Sequence, residues 1–140
     1  GTAGGLPFGG FLVGEECRNV LGPGTHATTF GGNPICAAAA LATLDILSEE
    51  MMGEIADKGK YLRSAIEAMD LPCLGKTRGL GLMIGVEVKP GQTNREVAMK
   101  LMDNGLLVLT AGPALRLLPP LTITKDEMDK GLAILKQTLS

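Results

Sequence analysis

The stretch 35–47 constrains this chain more than any other. Cys36, the four alanines 37–40, Leu41, Ala42, Leu44, Ile46 and Leu47 leave a helix almost no polar face there. A helix that is apolar all round must be covered on all sides, and successive alanines let another helix approach closely. With 140 residues the chain has material for one domain, too little to wrap such a helix and build a second core. The segment therefore reads as a connecting helix. It packs on a surface this chain lacks, or on a second copy, and lies open in a lone copy. Large open apolar patches mark interfaces, so a dimer or higher assembly is expected. The run is too short to span a bilayer, and Thr43 and Asp45 interrupt it.

The residues that lead into this helix are His26-Ala27-Thr28-Thr29-Phe30-Gly31-Gly32-Asn33-Pro34. Asn33 is a good N-cap and Pro34 suits a first helical turn. A helix N-terminus carries free N–H groups and partial positive charge, which favour an anion. Gly31 and Gly32 let backbone approach a ligand closely. Two readings follow: a phosphate or carboxylate clamp, or a glycine turn that simply starts a helix.

Composition narrows the partners. A net charge of −2 provides no basic footprint for nucleic acid. Phe8, Phe11, Phe30 and Tyr61 are too few for base-stacking platforms. Cys17, Cys36 and Cys73 form no CxxC pair and His26 is the single histidine, so no metal site is expected. Isolated thiols suit a reducing cytoplasm. No charged and apolar leader opens the chain, and no membrane segment is expected.

Along the chain, residues 1–32 are loop-rich and begin inside a glycine-rich loop, which suggests a fragment of a longer protein. A short strand is expected within 9–14 and a short helix over 15–20, ended by Leu21-Gly22-Pro23-Gly24. Ile55, Leu62, Ile66 and Met69 make one stripe of a helix over 53–69. Leu82, Ile84, Val86 and Val88 alternate with Met83, Gly85 and Glu87, so 80–88 reads as one half-buried strand. A helix over 94–102 turns Val97, Ala98, Leu101 and Met102 inward, with Asn104-Gly105 as its C-cap. Strands over 106–109 and 115–118 form a hairpin around the loop 110–114. The last helix opens with a capping box, Thr124 with Glu127, and a staple, Ile123 with Met128. Met128, Leu132, Leu135 and Leu139 are its buried stripe. Together these predict an α/β chain of the two-layer α+β kind, a mostly antiparallel sheet covered by helices and preceded by the long buried connecting helix. The domain boundary falls between 1–48 and 49–140.

Single acid–base candidates are weak. Glu87 suits a solvated strand position, His26 a loop, and the lysines exposed helical positions. Arg116 alternates with leucines just before Pro119-Pro120. A buried arginine needs an anionic partner, either a carboxylate of the fold or a ligand.

Four motifs occur in order: Gly4-Gly5-Leu6-Pro7-Phe8-Gly9-Gly10, Thr28-Thr29-Phe30-Gly31-Gly32-Asn33-Pro34, Arg78-Gly79-Leu80-Gly81-Leu82-Met83, and Leu115-Arg116-Leu117-Leu118-Pro119-Pro120-Leu121. With them the chain resembles the C-terminal part of the class III, fold-type I, pyridoxal-phosphate-dependent aminotransferases. It is most similar to the acetylornithine branch of arginine biosynthesis, which Thr110-Ala111-Gly112-Pro113 favours. Ornithine, succinylornithine and 4-aminobutyrate branches share much of the pattern. The resemblance implies a homodimer in which Thr29 binds the phosphate of the neighbouring subunit's pyridoxal phosphate. It implies that Thr28 meets the substrate and that Arg116 stands at the active-site edge toward a substrate or an acidic residue. Substrates are small amino acids and 2-oxo acids. In that family the Schiff-base lysine directly precedes the glycine loop that starts here at Gly1. The resemblance thus places no catalytic residue in this chain and implies that the 140 residues alone are inactive. An alternative of a different class is a non-catalytic anion-binding or assembly module.

Overall fold

The structure is a computed structural model that describes residues Gly1–Ser140. The chain divides into two compact units, Gly1–Glu49 and Glu50–Ser140.

The first unit is mostly loop. Helix α1 (Pro34–Ile46) is its one long element, preceded by a single 3-10 turn at Glu15–Cys17. The strand expected within 9–14 does not form. Those residues are exposed and pair with no neighbour, and a strand without a partner leaves its backbone groups to water. The helix expected over 15–20 shrinks to the 3-10 turn, because Gly14 offers no capping side chain and no residue of the turn is buried. Helix α1 does form, one residue earlier than expected. Within this chain it is not the buried helix anticipated: only Cys36 and Ala40 are buried, while Ile35, Leu41, Leu44 and Ile46 are exposed. The chain does not supply the surface that its apolar faces require.

The second unit contains the core. Helix α2 (Glu49–Ala68), strands β1 (Leu74–Leu80) and β2 (Met83–Val88), helix α3 (Asn94–Asp103), strands β3 (Leu109–Ala111) and β4 (Ala114–Leu117), and helix α4 (Lys125–Leu139) follow in order. The four strands make one antiparallel sheet in the order β1-β2-β4-β3. Ile84, Val86 and Leu115 are fully buried on one face of it. The stripes of α2 (Ile55, Leu62, Ile66), α3 (Val97, Leu101) and α4 (Met128, Leu132, Leu135, Leu139) join the same core cluster. All three helices therefore cover one face, a two-layer α+β arrangement.

Three local expectations change. The single strand over 80–88 is two strands, broken by a turn in which Gly81 takes φ +51°. Strand β1 lacks alternation and carries Gly75 and Gly79, so it has no local strand signal. It exists because its neighbours complete it. It pairs with β2 on one side. On its outer edge Arg63 Nη1 donates to the Gly79 carbonyl at 2.9 Å, and the Thr77 N–H donates to Glu67 Oε1 at 3.0 Å. Helix α2 lies so close that a side chain at Gly59 would collide with the Gly81 carbonyl. The hairpin is also tighter than expected. Ala111 pairs with Ala114, leaving Gly112-Pro113 as a two-residue turn, so most of the expected loop is strand. Residues 106–108 are not strand, since the Leu106 N–H returns to the Leu101 carbonyl at the end of α3. Met102, expected inward, is 42% exposed.

Helices α3 and α4 each open on a capping box, Thr93 with Glu96 and Thr124 with Glu127. In both, the backbone N–H of the threonine donates to the glutamate, and the threonine hydroxyl adds a second bond. These hold both carboxyls below the ordinary value of 4.5. Glu67 is lowered too, first by the Thr77 hydroxyl and then by the Thr77 N–H. A carboxyl lowered by folding contributes stability above its unfolded pKa, and that contribution is lost as pH falls through the folded one. Urea-unfolding free energy is therefore expected to fall below about pH 4.5 as these groups protonate. In the triple variant Glu67→Gln, Glu96→Gln, Glu127→Gln the acid limb should be shallower and stability at neutral pH lower. In the same assay Leu115→Ala should cost about 2–5 kcal/mol, whereas Leu80→Ala, at 88% exposure, should stay within about 0.5 kcal/mol.

Candidate functional site

The threonine–glycine loop lies in the first unit. Its conformation comes from short-range bonds. Thr25 donates through N–H and hydroxyl to the Gly22 carbonyl, and the Gly31 N–H donates to the Thr28 carbonyl at 3.3 Å. Gly31 has to be small here, because a Cβ would collide with Thr28 Oγ1. Gly32 takes φ +70°, a left-handed conformation that suits glycine. Thr28, Phe30, Gly31, Gly32, Asn33 and Cys36 line a cleft of about 280 Å³ together with Pro7, Phe8 and Gly9. Thr29 and His26 are exposed and do not line it.

The start of α1 is built differently from a bare anion clamp. The N–H groups of Ile35 and Cys36 donate to Asn33 Oδ1 at 2.9 and 3.3 Å, and the Ala37 N–H donates to the Asn33 carbonyl. The helix thus caps its own first turn, and these N–H groups are not presented to a ligand. What the loop does offer is the pair of hydroxyls on Thr28 and Thr29, neither of which hydrogen-bonds within the chain. Two unengaged hydroxyl donors beside a glycine gap fit a phosphate ester.

Arg116 lies in the second unit, on β4. It stands opposite Gly85 of β2 and Leu109 of β3, on the sheet face turned away from the helices. It is half-buried, and its Nε is fully buried without a hydrogen-bond partner. The ion pairs of the chain are Arg18 with Glu15 and Lys125 with Asp129. The internal salt bridge that the sequence left open for Arg116 is therefore not made. The residue instead lines a cleft of about 190 Å³ at the sheet edge, with Leu109, Leu118 and Pro119 on one side and Leu62, Glu127 and Leu132 of the helices on the other. Orphaned guanidinium N–H groups are strong carboxylate donors.

Other candidates stay outside chemistry. Glu87 is exposed, and its carboxylate accepts from the Lys76 N–H at 3.4 Å. No lysine is buried. Tyr61 donates to Asp129, and Lys125 donates to both, a surface cluster that ties α2 to α4. No group of three His, Cys, Asp or Glu residues is placed to hold a metal ion. The three cysteines are free. No helix is long and apolar enough to cross a membrane. The residue that sequence reasoning passed over is Arg78, quoted only within its motif. It shares a row of the sheet with Arg116, a relation that only strand register reveals.

Comparison with known proteins agrees with this architecture. The profile of the family described as aminotransferase class-III matches residues 1–139. The acetylornithine aminotransferase of Haemophilus ducreyi is 41% identical over 140 residues, covering 100% of this chain and 35% of its own length. The structure of acetylornithine aminotransferase from Elizabethkingia anophelis superposes with a TM-score of 0.71 at 35% identity, over 86% of this chain and 33% of that one. Ornithine delta-aminotransferase of Plasmodium falciparum gives a TM-score of 0.77 at 29% identity, over 91% and 35%. The chain spans about a third of the length of the proteins it matches. On its profile match, its relatives and its fold, the chain belongs to the class III aminotransferases, a family that depends on pyridoxal phosphate.

Proposed function

We propose that these residues form the C-terminal part of an acetylornithine aminotransferase, which passes an amino group from N2-acetylornithine to 2-oxoglutarate in arginine biosynthesis. The observation that carries this reading is the 41% identity to acetylornithine aminotransferases along the entire chain. Residues 1–48 belong to the large cofactor-binding domain and residues 49–140 form the small domain. The enzyme is a cytoplasmic homodimer, and the exposed apolar faces of α1 fit a helix that is covered in an assembly.

Bound pyridoxal phosphate supplies the electron sink for the exchange of amino groups. The roles of this chain are binding and orientation. The Thr29 hydroxyl donates to the cofactor phosphate of the neighbouring subunit. Thr28 contacts the substrate from the adjoining loop position. Arg116 holds a substrate carboxylate through N–H groups that find no partner within the chain. By the resemblance, the family's Schiff-base lysine precedes the glycine loop that starts here at Gly1, and the amino-group exchange needs that lysine. The chain by itself is therefore expected not to transaminate.

Three measurements test this. With N2-acetylornithine, 2-oxoglutarate and pyridoxal phosphate, the purified chain should form glutamate no faster than buffer and cofactor alone; faster turnover overturns the assignment of the lysine to another segment. The coding sequence immediately upstream of Gly1 should continue through a lysine codon, with an aspartate codon further upstream. A stop codon or an unrelated linker there would favour a stand-alone anion-binding module. Sedimentation at micromolar concentration should show a dimer or larger species, and a monomer counts against the homodimer.

A further inference from the structure

We propose that Arg78 is a second substrate-binding arginine, and that it shares a carboxylate with Arg116 on the helix-free face of the sheet. This rests on the reading of Arg116 as a substrate-carboxylate residue. Arg78 pairs with Gly85, and Gly85 pairs with Arg116, so the three form one row across β1, β2 and β4. Residues directly opposite one another share a face. This face is the one turned away from Ile84, Val86 and Leu115. With neighbouring strands about 4.8 Å apart, the two arginine backbones lie roughly 10 Å from each other. Two arginine side chains span that distance with ease.

Gly85 lets them converge. A Cβ built there would lie 3.4 Å from Arg78 Cγ and 3.5 Å from Arg78 Nε. The Arg78 side chain therefore lies across β2, toward β4, over a position that carries no side chain of its own. Neither arginine forms an ion pair. The one carboxylate near the row, Glu87, sits two pairs further along on the same face, opposite Ala114, and accepts from the Lys76 N–H. Lys76 and Glu87 line the adjoining cleft with Arg78, one charge of each sign, and neither lines the cleft of Arg116. The buried Arg116 Nε is left unsatisfied, which costs free energy. One carboxylate between the two guanidinium groups removes that penalty. Arginine forks bind carboxylates in two-pronged fashion, which suits the small oxo-acid and amino-acid carboxylates of the proposed reaction.

The test is a titration of the ¹⁵N-labelled 140-residue chain with 2-oxoglutarate, read at the arginine Nε–H and backbone resonances and repeated with N2-acetylornithine. The wild-type chain is expected to shift at Arg78, Gly85 and Arg116 at millimolar ligand. Arg78→Gln should weaken binding about tenfold, the loss of one charge-assisted bond, with an unchanged thermal midpoint. Arg78→Lys should recover part of the loss, and Gly85→Val, which keeps both charges but displaces Arg78, should weaken binding like Arg78→Gln. If Arg116→Gln abolishes binding while Arg78→Gln leaves it intact, the shared site is overturned and the Arg116 reading stands. If Arg116→Gln has no effect, both fall. A wild-type chain that shifts nowhere on this face overturns the proposal.

Discussion

The pairing of β2 with β4 sets the rest of the second unit. Ile84 and Val86 on one strand and Leu115 on the other are fully buried, and each contributes roughly 1.5–3 kcal/mol on leaving water. Side chains along a strand alternate, so the direction in which these residues point decides where every neighbour points. With Leu115 facing the helices, Arg116 must face away from them, and so must Gly85 and Arg78 in the same row. The chemistry-bearing face is thus a by-product of core formation. A register slip of one residue would bury the arginine and expose the leucine.

The edge of that sheet is held by a helix earlier in the chain. Strand β1 presents its outer N–H and carbonyl groups to α2, where Arg63 and Glu67, one helical turn apart, take up Gly79 and Thr77. An unpaired edge is a template for further strands, and these two side chains close it. The backbone contact of Gly59 with Gly81 lets α2 approach closely enough to do so. Three glycines of the β1–β2 region thus have separate physical duties: Gly79 and Gly81 take positive φ, and Gly85 clears the row between the arginines.

The first unit is governed by local bonds and has almost no core. Ala3, Cys36 and Ala40 are its buried apolar residues. Its loop holds shape through turns at Thr25 and Gly31 and through the cap of Asn33 on α1. Because that cap consumes first-turn N–H groups, any anion at this loop depends on threonine hydroxyls more than on the helix terminus. The helix that should bury most apolar surface is the one that this chain leaves most open.

Features encoded by neighbours in the chain were legible in the sequence alone. The capping box of Thr124 and Glu127, the Asn33 cap with Pro34, the alternation of β2 and the stripe of α4 each depend on residues within a few positions, where geometry follows from helix or strand period. The four ordered motifs likewise sufficed to indicate the family. Tertiary structure decided what depends on distant partners. Strand β1 forms because side chains on α2 satisfy it, and the segment 9–14 fails to form a strand because nothing pairs with it. That Arg116 lacks an internal carboxylate, and that Arg78 shares its row through a glycine, follows from register between strands. Register is fixed by long-range burial, which no local pattern of residues encodes.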